Sequence, residues 1–171
     1  MHDENHKDMT ELLHMLENKD GLIRKKAREA LVQLGTQAVM PLSKILIASR
    51  SSQTRWAAAK ALGELVDPRS APALVQALED KDSDVSWLAA VALEKMGQAA
   101  WRPLLIQLVE HGVDSVRLRE GAHHVLAKQK APGFDEQLDI LRQSLEFGEL
   151  TEAGSMAATE MLRQLRAHDM G

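Results

Sequence analysis

Cysteine and tyrosine are absent from this chain, and phenylalanine occurs only twice. Without cysteine there is no disulfide, no iron–sulfur ligation, no thiolate nucleophile and no cysteine-based zinc site. The same absence fits a reducing compartment, so a cytoplasmic protein is expected. Aromatic residues make up 3% of the chain against 44% hydrophobic overall, which leaves a core of Ala, Leu, Val, Ile and Met. Such a mixture suits closely packed helices, because pleated sheet selects β-branched and aromatic side chains. Gly and Pro number only 10 and 5, leaving little material for long ordered loops. No apolar run approaches the ~18–20 residues of a membrane span. The opening Met1-His2-Asp3-Glu4-Asn5-His6-Lys7-Asp8 is too polar for a secretion signal, so no membrane partner is expected. A net charge of −4 is mild, and by itself demands neither nucleic acid nor a lipid surface.

What is present is a repeat. Four segments, Ile23–Leu34, Thr54–Leu65, Val85–Met96 and Leu118–Gln129, align without gaps, their starts 31, 31 and 33 residues apart. The fifth residue of each is Ala (Ala27, Ala58, Ala89, Ala122), and the ninth is Leu (Leu31, Leu62, Leu93, Leu126). Between them lie i, i+4 leucine pairs: Leu12/Leu16, Leu42/Leu46, Leu74/Leu78 and Leu104/Leu108. Two helices of about 12 residues with two short turns fill one period, so each repeat reads as a helical hairpin. Toward the end the pairs weaken to Leu141/Leu145 and Ala158/Met161, and Lys130-Ala-Pro-Gly133 lengthens the join.

Punctuation agrees with that reading. Asp67-Pro68, Ser83, Asp114 or Ser115, and Thr151 stand at helix starts, while Gly35, Gly97 and Gly112 stand after helices where a left-handed residue is wanted. The expectation is an all-α fold, a right-handed α-solenoid of about five stacked hairpins in one domain, 1–171, with repeats near 8–35, 36–66, 67–97, 98–130 and 133–168. A lone hairpin cannot bury its apolar stripe, so neighbours must share one continuous core. The polar first residues and the Gly- and His-containing end are expected to cap the stack.

The stretch Leu65-Val-Asp-Pro-Arg-Ser-Ala-Pro-Ala-Leu-Val-Gln-Ala-Leu-Glu-Asp80 resembles the HEAT-like repeats first named from phycobilisome lyases, as does Thr54-Arg-Trp-Ala-Ala-Ala-Lys-Ala-Leu-Gly63. The resemblance spans roughly residues 10–130. It implies that first helices form the convex side and second helices line a concave, ligand-facing side. Repeats of this kind occur in scaffolds, lyases, hydroxylases and DNA-repair proteins, so the resemblance specifies fold better than function.

At about 100° per residue, the third position of each aligned segment falls almost opposite the core. Lys25, Trp56, Trp87 and Glu120 occupy it. Two tryptophans one repeat apart, on a face that ought to be polar, are the strongest functional signal in the chain. Ala57, Leu88 and Val91 flank them, with Lys60 and His124 in the same band. Trp56, Trp87, Leu88, Val91, Lys60, Lys25 and Lys26 are therefore the candidate partner-binding residues. The competing view lets each indole fold down over alanines of the next hairpin. Basic residues gather in the first repeat (Arg24, Lys25, Lys26, Arg28), whereas the fourth presents Glu120 beside Arg119. This gradient suggests a partner acidic at one end and apolar in the middle. Trp101 aligns with Val39 on a first helix and is expected in the core.

Sites of chemistry are not expected. His123 and His124 are adjacent and diverge on a helix, and His2 and His6 lie where no apolar pattern supports one. No His is followed by Glu, as the iron-binding hydroxylases with these repeats would require. No phosphate loop or nucleophile elbow appears. The expectation is thus no cofactor, no metal and no catalytic residue, in a scaffold module that binds another protein or peptide. Neighbouring second helices lie ~8–10 Å apart, so Trp56 and Trp87 could form one apolar strip with Leu88 and Val91, and that strip on two copies could also pair them as a homo-oligomer. The first alternative is a chromophore lyase subunit of the phycobilin type. A nucleic-acid binder comes after it, disfavoured by the mixed charge of the face.

Overall fold

A computed structural model describes residues 2–112, 115–148 and 150–169, with side chains from Met9 to Ala167 apart from residues 113, 114 and 149. The described residues hold helices and no strand, arranged in five consecutive pairs. These are α1 (His2–Leu16) with α2 (Gly21–Gln33), α3 (Val39–Ala48) with α4 (Ser52–Leu65), and α5 (Ala71–Ala77) with α6 (Ser83–Met96). The fourth and fifth are α7 (Trp101–His111) with α8 (Val116–Ala127), and α9 (Asp135–Glu146) with α10 (Glu152–Asp169). Helix α1 begins at His2, so the polar segment read as lacking support for a helix is helical backbone; packing of its distal half on α2 supplies what local pattern does not.

Each second helix starts on a side-chain cap. Asp20 accepts from Leu22 N at 2.8 Å, Ser51 from Thr54 N at 3.3 Å, Asp82 from Asp84 N at 3.0 Å and Ser115 from Leu118 N at 3.3 Å. These residues recur at 31, 31 and 33, the spacing of the repeat itself. Asp82 takes the capping role and Ser83 becomes the first helical residue, because a carboxylate one place earlier is the stronger acceptor for the free N–H groups. Asp114 lies outside the described residues. Thr151 caps α10 through Gly154 N at 3.1 Å. Gly35, Gly97 and Gly112 adopt φ of +64°, +59° and +70°. Val66 stands where the period places a glycine and is forced to φ +50°, a costly position for a β-branched residue.

The second helices stack in one row, α2 on α4, α4 on α6 and α6 on α8, while α3, α5 and α7 stack in another. The alanine and leucine columns of the repeat run between the rows: Ala27, Ala58, Ala89, Ala122 and Leu31, Leu62, Leu93, Leu126 are fully buried. Small residues set the spacing. A Cβ on Gly63 would meet that of Ala92 at 3.2 Å, so α4 and α6 lie almost backbone to backbone there.

The last two pairs depart from the pattern: α7 and α8 pack on α10 and α9 and not closely on each other. Continuation of the repeat would set α9 on α7 and α10 on α8; instead α9 packs on α8 and α10 on α7. Arg142 donates to Ala127 O at 3.1 Å and Arg119 to Gly148 O at 2.8 Å, so α9 runs antiparallel beside α8. The longer join after Lys130 permits the crossing. Phe134 anchors it, buried edge-on against Trp101 at 5.5 Å between ring centroids. Trp101 is in the core, as expected for its place at the start of a first helix.

Candidate interaction face

The third-position residues emerge on the outer surface of the second-helix row. Lys25 and Glu120 are exposed, Trp87 is 57% exposed, and Trp56 is half-buried, packed against the core. The difference between the tryptophans comes from their neighbours. Trp56 carries Lys60, one turn along α4, with Nζ 4.8 Å from the ring centroid, a cation–π contact. Trp87 meets His124 of α8, the rings tilted by 57° with centroids 4.6 Å apart. His124 Nε2 in turn lies 2.9 Å from Glu94 Oε2 of α6, close enough to pair but not aligned as a hydrogen bond. Lys128 reaches the other Glu94 oxygen at 3.5 Å.

Each indole borders a cleft near the N-terminal ends of the second helices. The first, about 430 Å³, lies between α2 and α4 with the start of α6 as its far wall; Arg24, Trp56, Lys60, Asp82 and Asp84 define its character. The second, about 390 Å³, lies between α6 and α8 and is bounded by Trp87, His124, Glu120, Arg117 and Leu78. Asp84 lines both. The two clefts therefore adjoin at a carboxylate, which interrupts the apolar surface between the tryptophans, so they do not merge into one apolar strip. Leu88 packs against the core, Val91 is half-buried, Lys26 is exposed, and none of the three lines either cleft. Ala57, expected in the open band, is buried at 3% by close approach of the neighbouring helices.

The basic cluster of the first repeat is largely consumed by structure. Arg28 is buried and pairs across to Glu64 of α4. Arg24 donates Nη1 to the carbonyls of Asn18 and Lys19 at 2.7 and 2.8 Å, tying down its own hairpin turn. Lys25 lies 3.9 Å from Glu29 on the same helix. At the other end, Arg119 is spent on Gly148 O. The smooth charge gradient read along the face is thus replaced by local pairs, since a guanidinium reaches loop carbonyls that helical angle alone does not reveal.

One arginine was not singled out by sequence at all. Arg55, one repeat after Arg24, is 5% exposed and grips Asp80 bidentately, Nε to Oδ2 at 2.6 Å and Nη2 to Oδ1 at 2.8 Å. It also donates to Ser49 O at 3.0 Å, so one side chain joins two successive hairpin turns. The hydrogen bond to Asp80 holds the guanidinium above its ordinary pKa. Burial pushes the Asp80 carboxyl up, but the hydrogen bonds from Arg55 and the Asp82 amide and the charges of Arg55 and Lys81 outweigh it, leaving that carboxyl below its usual value. The signal was there in the sequence: Arg24 and Arg55 are one period apart, with Arg119 in the same column of the fourth repeat.

Among the described residues, no group of three or more His, Asp or Glu is placed to hold a metal ion. No described helix is long and apolar enough to cross a membrane. A family model described as HEAT repeats matches residues 39–127, just over half of the chain. No curated protein matches the chain.

Proposed function

The chain belongs to the HEAT-repeat family, and from that premise we propose that it is a non-catalytic interaction module whose second-helix face binds a segment of another protein. The observation that carries this reading is Trp87, 57% exposed one repeat away from the half-buried Trp56, with a cleft beside each. A large indole left in solvent gains nothing for the fold, and surface aromatics beside clefts are the usual anchors of protein interfaces. Lys60 and Lys25 border the first cleft beside Trp56. Leu88, Val91 and Lys26 belong to the margin of the contact surface.

The test is co-purification from a cell extract with wild type and with Trp56→Ala/Trp87→Ala, followed by affinity measurement on the purified partner. Loss of a tryptophan anchor is expected to cost at least ~2 kcal/mol, about thirtyfold in affinity. Equal binding by a double variant with wild-type circular dichroism would remove the tryptophan face from consideration. Sedimentation of the free protein across a concentration series checks whether the same face pairs two copies.

A further inference from the structure

The two walls of the first cleft carry opposite charge. On the α2–α4 side, Arg28 is neutralised by Glu64 and Lys25 faces Glu29, which leaves Arg24 and Lys60. Arg24 is held by two neutral carbonyls and Lys60 by the Trp56 ring, and neither meets a carboxylate partner among the described residues. On the α6 side stand Asp82, which uses one oxygen as a helix cap, and the exposed Asp84. The arrangement is a cationic wall and an anionic wall with an indole between them.

Asp84 also lines the second cleft, so the trough continues past the acidic wall to Trp87. A free amino acid would leave most of such a trough empty, whereas a chain can follow it. Stacked helices are about 8–10 Å apart, and an extended peptide advances ~3.3 Å per residue. Three peptide residues therefore span one helix of the row.

We infer that the occupant is an extended segment of a partner protein of mixed charge. An acidic side chain sits between Arg24 and Lys60, a basic side chain about three residues on meets Asp82 and Asp84, and an apolar side chain a further three or so reaches Trp87. This rests on the proposed use of the second-helix face and adds the chemistry of what fills it. The order of charges follows from the order of the helices, which makes it reversible by design.

The experiment is selection of a phage-displayed library of random dodecapeptides on the full chain, repeated on Lys60→Glu/Asp84→Lys. Both positions lie at the surface of the trough, and circular dichroism verifies the fold; Lys60→Met and Asp84→Asn serve as milder variants. Wild type is expected to enrich peptides with an acid and a base about three positions apart, in one fixed order. The charge-swapped protein is expected to enrich the opposite order and to bind the wild-type peptides about tenfold or more weakly, because like charges then face each other. Enrichment without a charge pattern, a pattern indifferent to the swap, or no enrichment above bare support would each overturn the mixed-charge occupant. If extract capture still fails for Trp56→Ala/Trp87→Ala in that case, the face stands and only its occupant is wrong. Selective, salt-sensitive retention of an oligonucleotide by the wild type, abolished by Arg24→Glu, would also overturn it in favour of nucleic acid.

Discussion

Helices α4 and α6 are the same helix written twice, 31 residues apart, yet the structure holds them in different ways. Their buried columns match: Ala58 with Ala89, Leu62 with Leu93. Their other faces do not. Where α4 has Arg55 locked to Asp80, α6 has Ser86, whose hydroxyl reaches only Ser83 O of its own first turn. Where α4 sets Lys60 over Trp56, α6 has Val91, and Trp87 leans on His124 of the next helix instead. Where α6 ends on Gly97, α4 ends on the strained Val66. Positions that make the stack are constant because α4 and α6 each sit between two second helices of the row and so face the same neighbour geometry. Positions that face solvent or the next turn are free to differ, and they set how exposed each tryptophan is.

The sharpest way to break this contrast is at Asp80. Asp80→Ala leaves Arg55 buried without its carboxylate and is expected to destabilise by about 3–5 kcal/mol, whereas Ser86→Ala on α6 should cost less than ~0.5 kcal/mol. Urea unfolding at neutral pH measures both. The same pair predicts a pH response. Because the Asp80 carboxyl is held below its usual value when folded, its stabilisation is fully present above the unfolded carboxylate pKa of about 4. It is lost as pH falls through the lowered folded value. Stability of wild type relative to Asp80→Asn should therefore shrink between neutral and strongly acid pH, and a constant difference would contradict the assignment.

The shared columns should respond alike. Ala58→Leu and Ala89→Leu are each expected to cost about 1–3 kcal/mol by overpacking between rows. A large difference between the two would show that the helices are not equivalent even in their core. The tryptophans should separate. Trp56→Ala is expected to cost about 1–2 kcal/mol through lost half-burial, while Trp87→Ala stays within about 0.5 kcal/mol. Iodide should quench Trp87 strongly and the buried Trp101 hardly at all. One change should be a gain. Val66→Gly relieves the left-handed strain and, after the entropy cost of glycine in the unfolded chain, should add about 0.5–1 kcal/mol. Calorimetry would register that as a Tm rise of a few degrees, roughly 2–4 °C per kcal/mol at this size.

Much of the fold was legible because the repeat is a local pattern with one physical cause. Buried alanines and leucines, the glycines after α2, α6 and α7, and the place of Trp101 all follow from spacing along the chain. Of the cap column Asp20, Ser51, Asp82 and Ser115, the sequence pointed to Ser115, as one of two choices, and to Ser83 one place beyond Asp82; Asp20 and Ser51 carry the same period but emerged only with the structure. The candidate face was legible in part. Helical angle put Trp56 and Trp87 on the outer side of their helices, and the structure gives them the two clefts. Angle could not foresee that Arg28 turns inward to Glu64, that Arg24 closes its own turn, or that Ala57 is covered.

By itself, then, the sequence determined the unit: a hairpin whose apolar stripe must be shared, with period, caps and stops fixed by residues close in the chain. Tertiary structure alone decided how the units end and what they present. The crossing of α9 onto α8 depends on Phe134 finding Trp101, more than thirty positions earlier. The cleft of opposite walls depends on α2, α4 and α6 converging, so that Arg24, Lys60 and Asp84 come within one space. Local pattern sets which side chains leave a helix on which side. It cannot say whose charge will be waiting there, because that is settled by the packing of helices far apart in sequence.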